Sequence, residues 1–140
     1  MVGKTPISKI MTRDLLVVDI NDTIGEAAET FRNYSLRHAP VISHGSLVGM
    51  ISLVDMKNME NANSLEVIDT SSGLMPLSVK HLMTADPVTI QEHTSVEEVA
   101  TIFIENEFHA VPVMNGDQIV GIVSTTDIIA FFLETLDKKE

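Results

Sequence analysis

The sequence predicts an α+β protein with α/β-type layers, built from two copies of one β-α-β-β-α unit. Three observations predict it. Shifted by 72 residues, the chain matches itself without a gap, with twelve identities over the 51 positions 7–57. Short aliphatic runs alternate with segments of helical apolar spacing in each copy. The same helix-start pattern also occurs at the same place in both.

The elements follow in order. Leu15 to Val18 and Pro87 to Ile90 read as first strands, entered from Asp14 and Asp86. Thr23-x-x-Glu26 and Ser95-x-x-Glu98 are capping boxes, in which hydroxyl and carboxylate satisfy free N–H groups of a first helical turn. Ile24, Ala27, Ala28 and Phe31 then recur at helical spacing, as do Val96, Val99, Ala100 and Phe103. Ala39 to Ile42 and Ala110 to Met114 read as second strands, each beginning near a Pro. His44-Gly45 and Asn115-Gly116 read as tight turns into third strands, Leu47 to Ile51 and Ile119 to Val123. Each third strand runs into Ser-x-x-Asp and a second helix, the last spanning about Asp127 to Leu136. On that helix Phe131 and Phe132 cannot both face one core.

The expected organisation is a first repeat over 4–60, a linker over 61–75 and a second repeat over 76–137. Asn61, Asn63 and Ser71-Ser72-Gly73 give the linker its character, and Leu65, Val67 and Ile68 suggest a turn or short helix inside it. One copy is too small to cover both faces of its own sheet. Two copies are therefore expected to pack as one globule with two equivalent clefts at the seam. The repeats are expected to use up the chain and leave no effector domain.

Composition narrows the function classes. Apolar residues make up 44% and aromatics 4%, so the core must be aliphatic, with the eight Met residues filling gaps. No apolar run approaches the ~20 residues of a membrane span. The N-terminus has no signal-peptide pattern, and there is no Cys. A cytoplasmic protein is expected. The net charge is −11, with −3 on residues 1–70 and −8 on residues 71–140, which disfavours nucleic acid and anionic membrane as partners.

Three motifs, each present twice in register, resemble the CBS-domain family. Ile10-Met11-Thr12 and Leu82-Met83-Thr84 precede the first strands. Arg37-His38-Ala39-Pro40-Val41 and His109-Ala110-Val111-Pro112-Val113 enter the second. Gly49-Met50-Ile51-Ser52-Leu53-Val54-Asp55 and Gly121-Ile122-Val123-Ser124-Thr125-Thr126-Asp127 end the third. The resemblance implies a stand-alone tandem pair: two pseudo-twofold-related CBS units packed as one Bateman module. It also implies a regulatory ligand sensor for AMP, ADP, ATP or S-adenosylmethionine in the cleft between repeats, with no required cofactor and a disc-like homodimer.

The resemblance also implies the site residues. Asp127 and Asp55 would accept hydrogen bonds from ribose hydroxyls. Ser124 and Thr126 would meet phosphate at a helix start, where free N–H groups favour an anion. In the first copy Ser52 remains, but Val54 replaces the second hydroxyl. The Asp127 site is therefore expected to be preferred, and the Asp55 site weaker. His109 in the preferred site, with Arg37 and His38 in the weaker one, are candidate phosphate partners. Adenine would pack near Val88 and Ile122, or near Leu16 and Met50. The scarcity of Lys and Arg favours a ligand with little phosphate.

Plainer readings stand beside these. Ser-x-x-Asp is also an ordinary helix cap. Taken apart from the resemblance, Arg37 reads better as a surface cation, and His38 and His109 also read as structural histidines. His44, His81 and His93 lack metal-ligand spacing and read as surface residues. No nucleophile elbow, phosphate-cradling Gly-rich loop or His-Glu-x-x-His occurs, so no enzymatic activity is expected. The alternative function is a dimerisation or scaffold module that binds no nucleotide and acts on a partner protein.

Overall fold

The computed structural model describes residues 2–61, 66–70 and 73–138. Both hydroxyl caps start helices as the sequence predicts. Thr23 opens α1 (Ile24–Tyr34): its hydroxyl accepts from the Glu26 N–H at 3.1 Å, and its own N–H donates to Glu26 Oε1 at 3.0 Å. Ser95 opens α4 (Val96–Glu105) through the hydroxyl arm alone, accepting from the Glu98 N–H at 3.2 Å; the expected return bond to the Glu98 carboxylate is not formed.

The hydrogen bonds from Thr23, chiefly that of its backbone N–H, hold the Glu26 carboxyl below the usual carboxylate range. A depressed carboxyl pKa adds stability above its unfolded value, and this is lost as pH falls through the folded value. Thr23→Ala is expected to cost about 1 kcal/mol in urea denaturation. It should also move the Glu26 titration midpoint upward by NMR.

Five α-helices and nine short strands form the described chain. The mixed α+β class is therefore as expected. The chain divides into two compact units, Leu16–Pro87 and a second made of Met1–Leu15 with Val88–Glu140.

In the contiguous unit, β1 (Val18–Asp19) pairs in parallel with β2 (His38–Ser43). That strand pairs antiparallel with β3 (Ser46–Ser52), which in turn pairs with β6 (Thr84–Ala85). Helix α2 (Leu53–Asn61) follows β3, and the one-turn α3 (Val79–Leu82) precedes β6. Phe31, Ile24, Val41, Ile51, Met56 and Val79 are fully buried in the core of this unit.

In the other unit β7 (Ile90–Gln91), β8 (Ala110–Asn115) and β9 (Gln118–Ser124) repeat the same order. Helix α5 (Thr125–Lys138) follows β9. The core combines Val96, Val99, Val111, Val113 and Val123 with Ile7 and Met11 from the chain's beginning. Phe131 packs against this core while Phe132 stays 37% exposed, as the helical period requires.

Four sequence expectations are corrected. The first strands are shorter and later than expected. Ladder pairing begins only at Val18↔Val41 and Ile90↔Val113, and Pro87 has no N–H to give a ladder. The second hairpin turns at Gly116-Asp117 rather than Asn115-Gly116, because Asn115 still pairs with Gln118 and Gly116 supplies the positive φ of 62°. The last helix begins at Thr125, two residues before the expected Asp127. Val67 and Ile68 lie in β4 (Glu66–Thr70), paired with β5 (Gly73–Pro76), and not in a turn or helix. Their β-branched side chains suit a strand. Leu65, Asn63 and Ser71-Ser72 lie outside the described residues.

The units cut across the repeats twice, at Leu15/Leu16 and at Pro87/Val88. The stretch before each first strand, here called a strap, docks on the other copy's framework. In the N-terminal strap, the Ile7 N–H donates to the Thr94 carbonyl at 2.7 Å, and the Val96 N–H donates to Thr5 at 2.8 Å. Thr12 exchanges both backbone bonds with Ile122, at 2.9 and 3.0 Å. The strap at 77–85 does the same, 72 residues on. The Val79 N–H donates to Asp22 at 2.8 Å, the Ile24 N–H to Leu77 at 3.0 Å, and Thr84 pairs with Met50.

This exchange also evens the charge. The contiguous unit holds 4 Lys/Arg against 9 Asp/Glu, or −5, and the other holds 5 against 11, or −6.

Candidate functional site

Each candidate site lies at the junction of a third strand and the helix after it. At the preferred one, the Ser124 N–H donates to Asp127 Oδ2 at 2.9 Å, and the Asp127 N–H donates to Ser124 Oγ at 3.1 Å. This reciprocal pair caps α5, so the plain capping reading of Ser-x-x-Asp holds. It does not exhaust the groups. Asp127 Oδ1 remains as an acceptor, and the Ser124 hydroxyl keeps its proton to donate. Both residues are partly exposed, and Thr126 lies exposed in the first turn between them. Of the backbone N–H groups at that helix start, those of Ser124, Thr125 and Asp127 are engaged, which leaves the Thr126 N–H.

The rest of this site assembles through the sheet. His109 is exposed, and its carbonyl accepts the Thr125 N–H at 2.9 Å, which fixes its backbone at the helix start. Ile122 is two residues upstream of Ser124, flanked by Pro112 on β8 and by Thr12 of the N-terminal strap. Val88 is 48% exposed. All six preferred-site residues belong to one unit.

The weaker site has the same frame. The Ser52 N–H donates to Asp55 Oδ2 at 3.2 Å, and the Asp55 N–H donates to Ser52 Oγ at 3.1 Å. The Arg37 carbonyl accepts the Leu53 N–H at 2.8 Å, and His38 pairs with Ser52 across the ladder. The Arg37 side chain is exposed, and among the described residues it makes no hydrogen bond or ion pair. Leu16 is partly buried and Met50 is 9% exposed. Val54 is 64% exposed and presents a hydrocarbon where the other site has a hydroxyl. These residues all lie in the contiguous unit.

Sequence reasoning missed the straps as neighbours of the sites. The signal was present as Gly49 and Gly121, matched glycines inside strands rather than in turns. A glycine in a strand often marks a close backbone approach. A Cβ on Gly121 would come within 2.5 Å of Met11 Sδ and 3.0 Å of the Thr12 carbonyl. On Gly49 it would meet Met83 Sδ at 2.6 Å and the Thr84 carbonyl at 2.9 Å. His81 also serves unexpectedly as a cap, its Nδ1 accepting the Ser78 N–H at 3.0 Å. Among the described residues no cluster of three metal-binding side chains occurs, and no helix is long and apolar enough to cross a membrane.

The CBS domain family model matches residues 7–59 and 79–134. The chain belongs to the CBS-domain family. A CBS domain-containing protein of Methanocaldococcus jannaschii, MJ0729, is 29% identical over 90% of this chain and 94% of its own length. Another protein of that organism, MJ1404, is 28% identical over 93% of this chain. Among solved structures, the CBS domain pair of protein MJ0100, in complex with 5′-methylthioadenosine and S-adenosyl-L-methionine, has a TM-score of 0.80. It is 26% identical, with 94% of this chain and 98% of that chain covered. The CBS tandem spans only part of some curated relatives: 32% of MJ1404, 46% of MJ1225 and 22% of an inosine-5′-monophosphate dehydrogenase.

Proposed function

We propose that this CBS pair is a regulatory module, without catalytic activity, that binds an adenosine-containing metabolite at the Asp127 site. The observation that carries the reading is the Ser124–Asp127 pair with its spare acceptor and donor, in a frame that repeats at Ser52–Asp55. The spare carboxylate oxygen suits ribose hydroxyls, and the Thr126 hydroxyl with its own N–H suits an anionic or polar tail. Val88 and Ile122 supply an aliphatic wall for adenine.

A net charge of −11 with only 9 Lys/Arg favours a ligand with little phosphate. 5′-Methylthioadenosine and S-adenosylmethionine, held by the related MJ0100 pair, therefore rank ahead of AMP and ADP, and ATP comes last. Titration calorimetry with these five compounds tests the reading. Binding tighter than about millimolar is expected for at least one, and binding by none sinks it.

The same reading takes the protein as a cytoplasmic homodimer. Ile129, Phe132, Leu133 and Leu136 form one exposed apolar stripe along α5 at helical spacing, a face that a second copy would cover. Sedimentation at the monomer mass would remove that part. The exposed stripe and Val54 also favour a second reading, a scaffold that binds no nucleotide. A dimer combined with five negative titrations would select it.

A further inference from the structure

We propose that docking of the N-terminal strap and occupation of the Asp127 site are coupled, so that residues 2–15 act as a ligand-responsive latch. The inference rests on the reading above that this site takes an adenosine ligand.

The two events share one residue. Ile122 offers its side chain as the proposed wall for adenine, while its N–H and carbonyl are both engaged by Thr12. Next to it, Gly121 leaves room for Met11 and nothing larger than its own hydrogen. A strap that withdraws leaves the Ile122 backbone unpaired and the Met11 seat empty, one and three residues ahead of Val123 and Ser124.

The strap is also a small element that local opening can release. Its buried anchors are Ile7 and Met11. Its remaining ties are single backbone bonds: Ser8 N–H to Glu92, Ile7 N–H to Thr94 and Val96 N–H to Thr5. The Lys4–Glu97 ion pair is 3.6 Å long and exposed at both ends, so it adds little. Segments with few buried apolar contacts open at lower cost than the core around them. A ligand that needs Ile122 held in place binds the docked form better, and linkage then requires it to favour docking.

The coupling runs across the repeats. The strap opens the first copy in sequence, yet it acts on the site of the second. The equivalent strap at 77–85 sits on Met50 and serves the Asp55 site instead. Each therefore controls for the other.

Hydrogen exchange on the intact wild-type chain, with 5′-methylthioadenosine as the probe, tests the proposal. Near 100 times Kd, the Thr12 and Ile122 amides are expected to exchange up to about 100-fold more slowly, while Thr84 and Met50 are unchanged. Ile7→Ala, which removes an anchor five residues from Thr12, is expected to weaken binding about tenfold, and Val79→Ala to leave it unchanged. Should Ile7→Ala fail to fold, the wild-type exchange measurement still decides. Binding that shifts Ser124 and Asp127 without slowing Thr12 overturns the latch and leaves the site. No binding at all overturns both.

Discussion

Gly121→Val is expected to destabilise the unit formed by residues 1–15 and 88–140 by about 3 kcal/mol, as overpacking does in a filled core. The first added carbon would stand 2.5 Å from Met11 Sδ, 2.9 Å from Met11 Cγ and 3.0 Å from the Thr12 carbonyl. The sulfur can swing away. The carbonyl cannot, because it is fixed by accepting the Ile122 N–H. The strap must then retreat and lose both Thr12–Ile122 bonds. Met11→Ala in the same chain should recover only part of the loss, since it leaves the carbonyl in place. Gly116→Ala is the control. It has open space around it and a φ of 62°, so it should cost only about 1 kcal/mol of backbone strain. Urea denaturation of the three variants and the wild type checks this. A Gly121→Val protein as stable as the wild type would mean that the strap does not dock on β9.

Asp127→Ala is expected to weaken the adenosine ligand by about 10- to 100-fold, the cost of one or two hydrogen bonds to a charged group. Asp55→Ala should change affinity less than twofold, about 0.4 kcal/mol. Alanine at 127 also removes the acceptor for the Ser124 N–H, so part of its effect is on the helix cap. Asp127→Asn separates the two roles. Its amide oxygen can still accept from Ser124 and hold the cap, but the charge that ribose hydroxyls would meet is gone. Asn is therefore expected to keep most of the stability and lose most of the affinity. Calorimetry and thermal melts on the same samples provide both readings. A larger affinity loss from Asp55→Ala would reverse the ranking of the sites.

The fold was legible wherever its cause was local. Thr23 and Ser95 mark their helices because capping acts within one turn. Ile24, Ala27, Ala28 and Phe31 mark the buried face because burial follows the helical period. The first strands were misjudged because Leu15 to Val17 and Pro87 to Thr89 are aliphatic without being laddered, and the pairing partner, not hydropathy, decides that.

The straps were not legible for a different reason. Ile7 bonds to Thr94, far along the chain, and the two copies are similar enough that either could host either strap. A pattern repeated at 72 residues cannot say which copy of its partner it uses. Gly49 and Gly121 record that something approaches closely, but not what. At the sites, the Ser–Asp pairs and the helix starts were legible from spacing. Thr12 and Thr84 were not, because they come from the opposite repeat.

The proposed ligand site, built on Ser124, Thr126 and Asp127, takes one adenosine ligand. Amide NMR shifts during titration of the intact chain with 5′-methylthioadenosine test it most directly. Saturable shifts are expected to concentrate at His109, Ile122, Ser124, Thr126 and Asp127, with Ser52 to Asp55 little affected. Shifts centred on Ser52 to Asp55, or no saturable shift at either helix start, would contradict it.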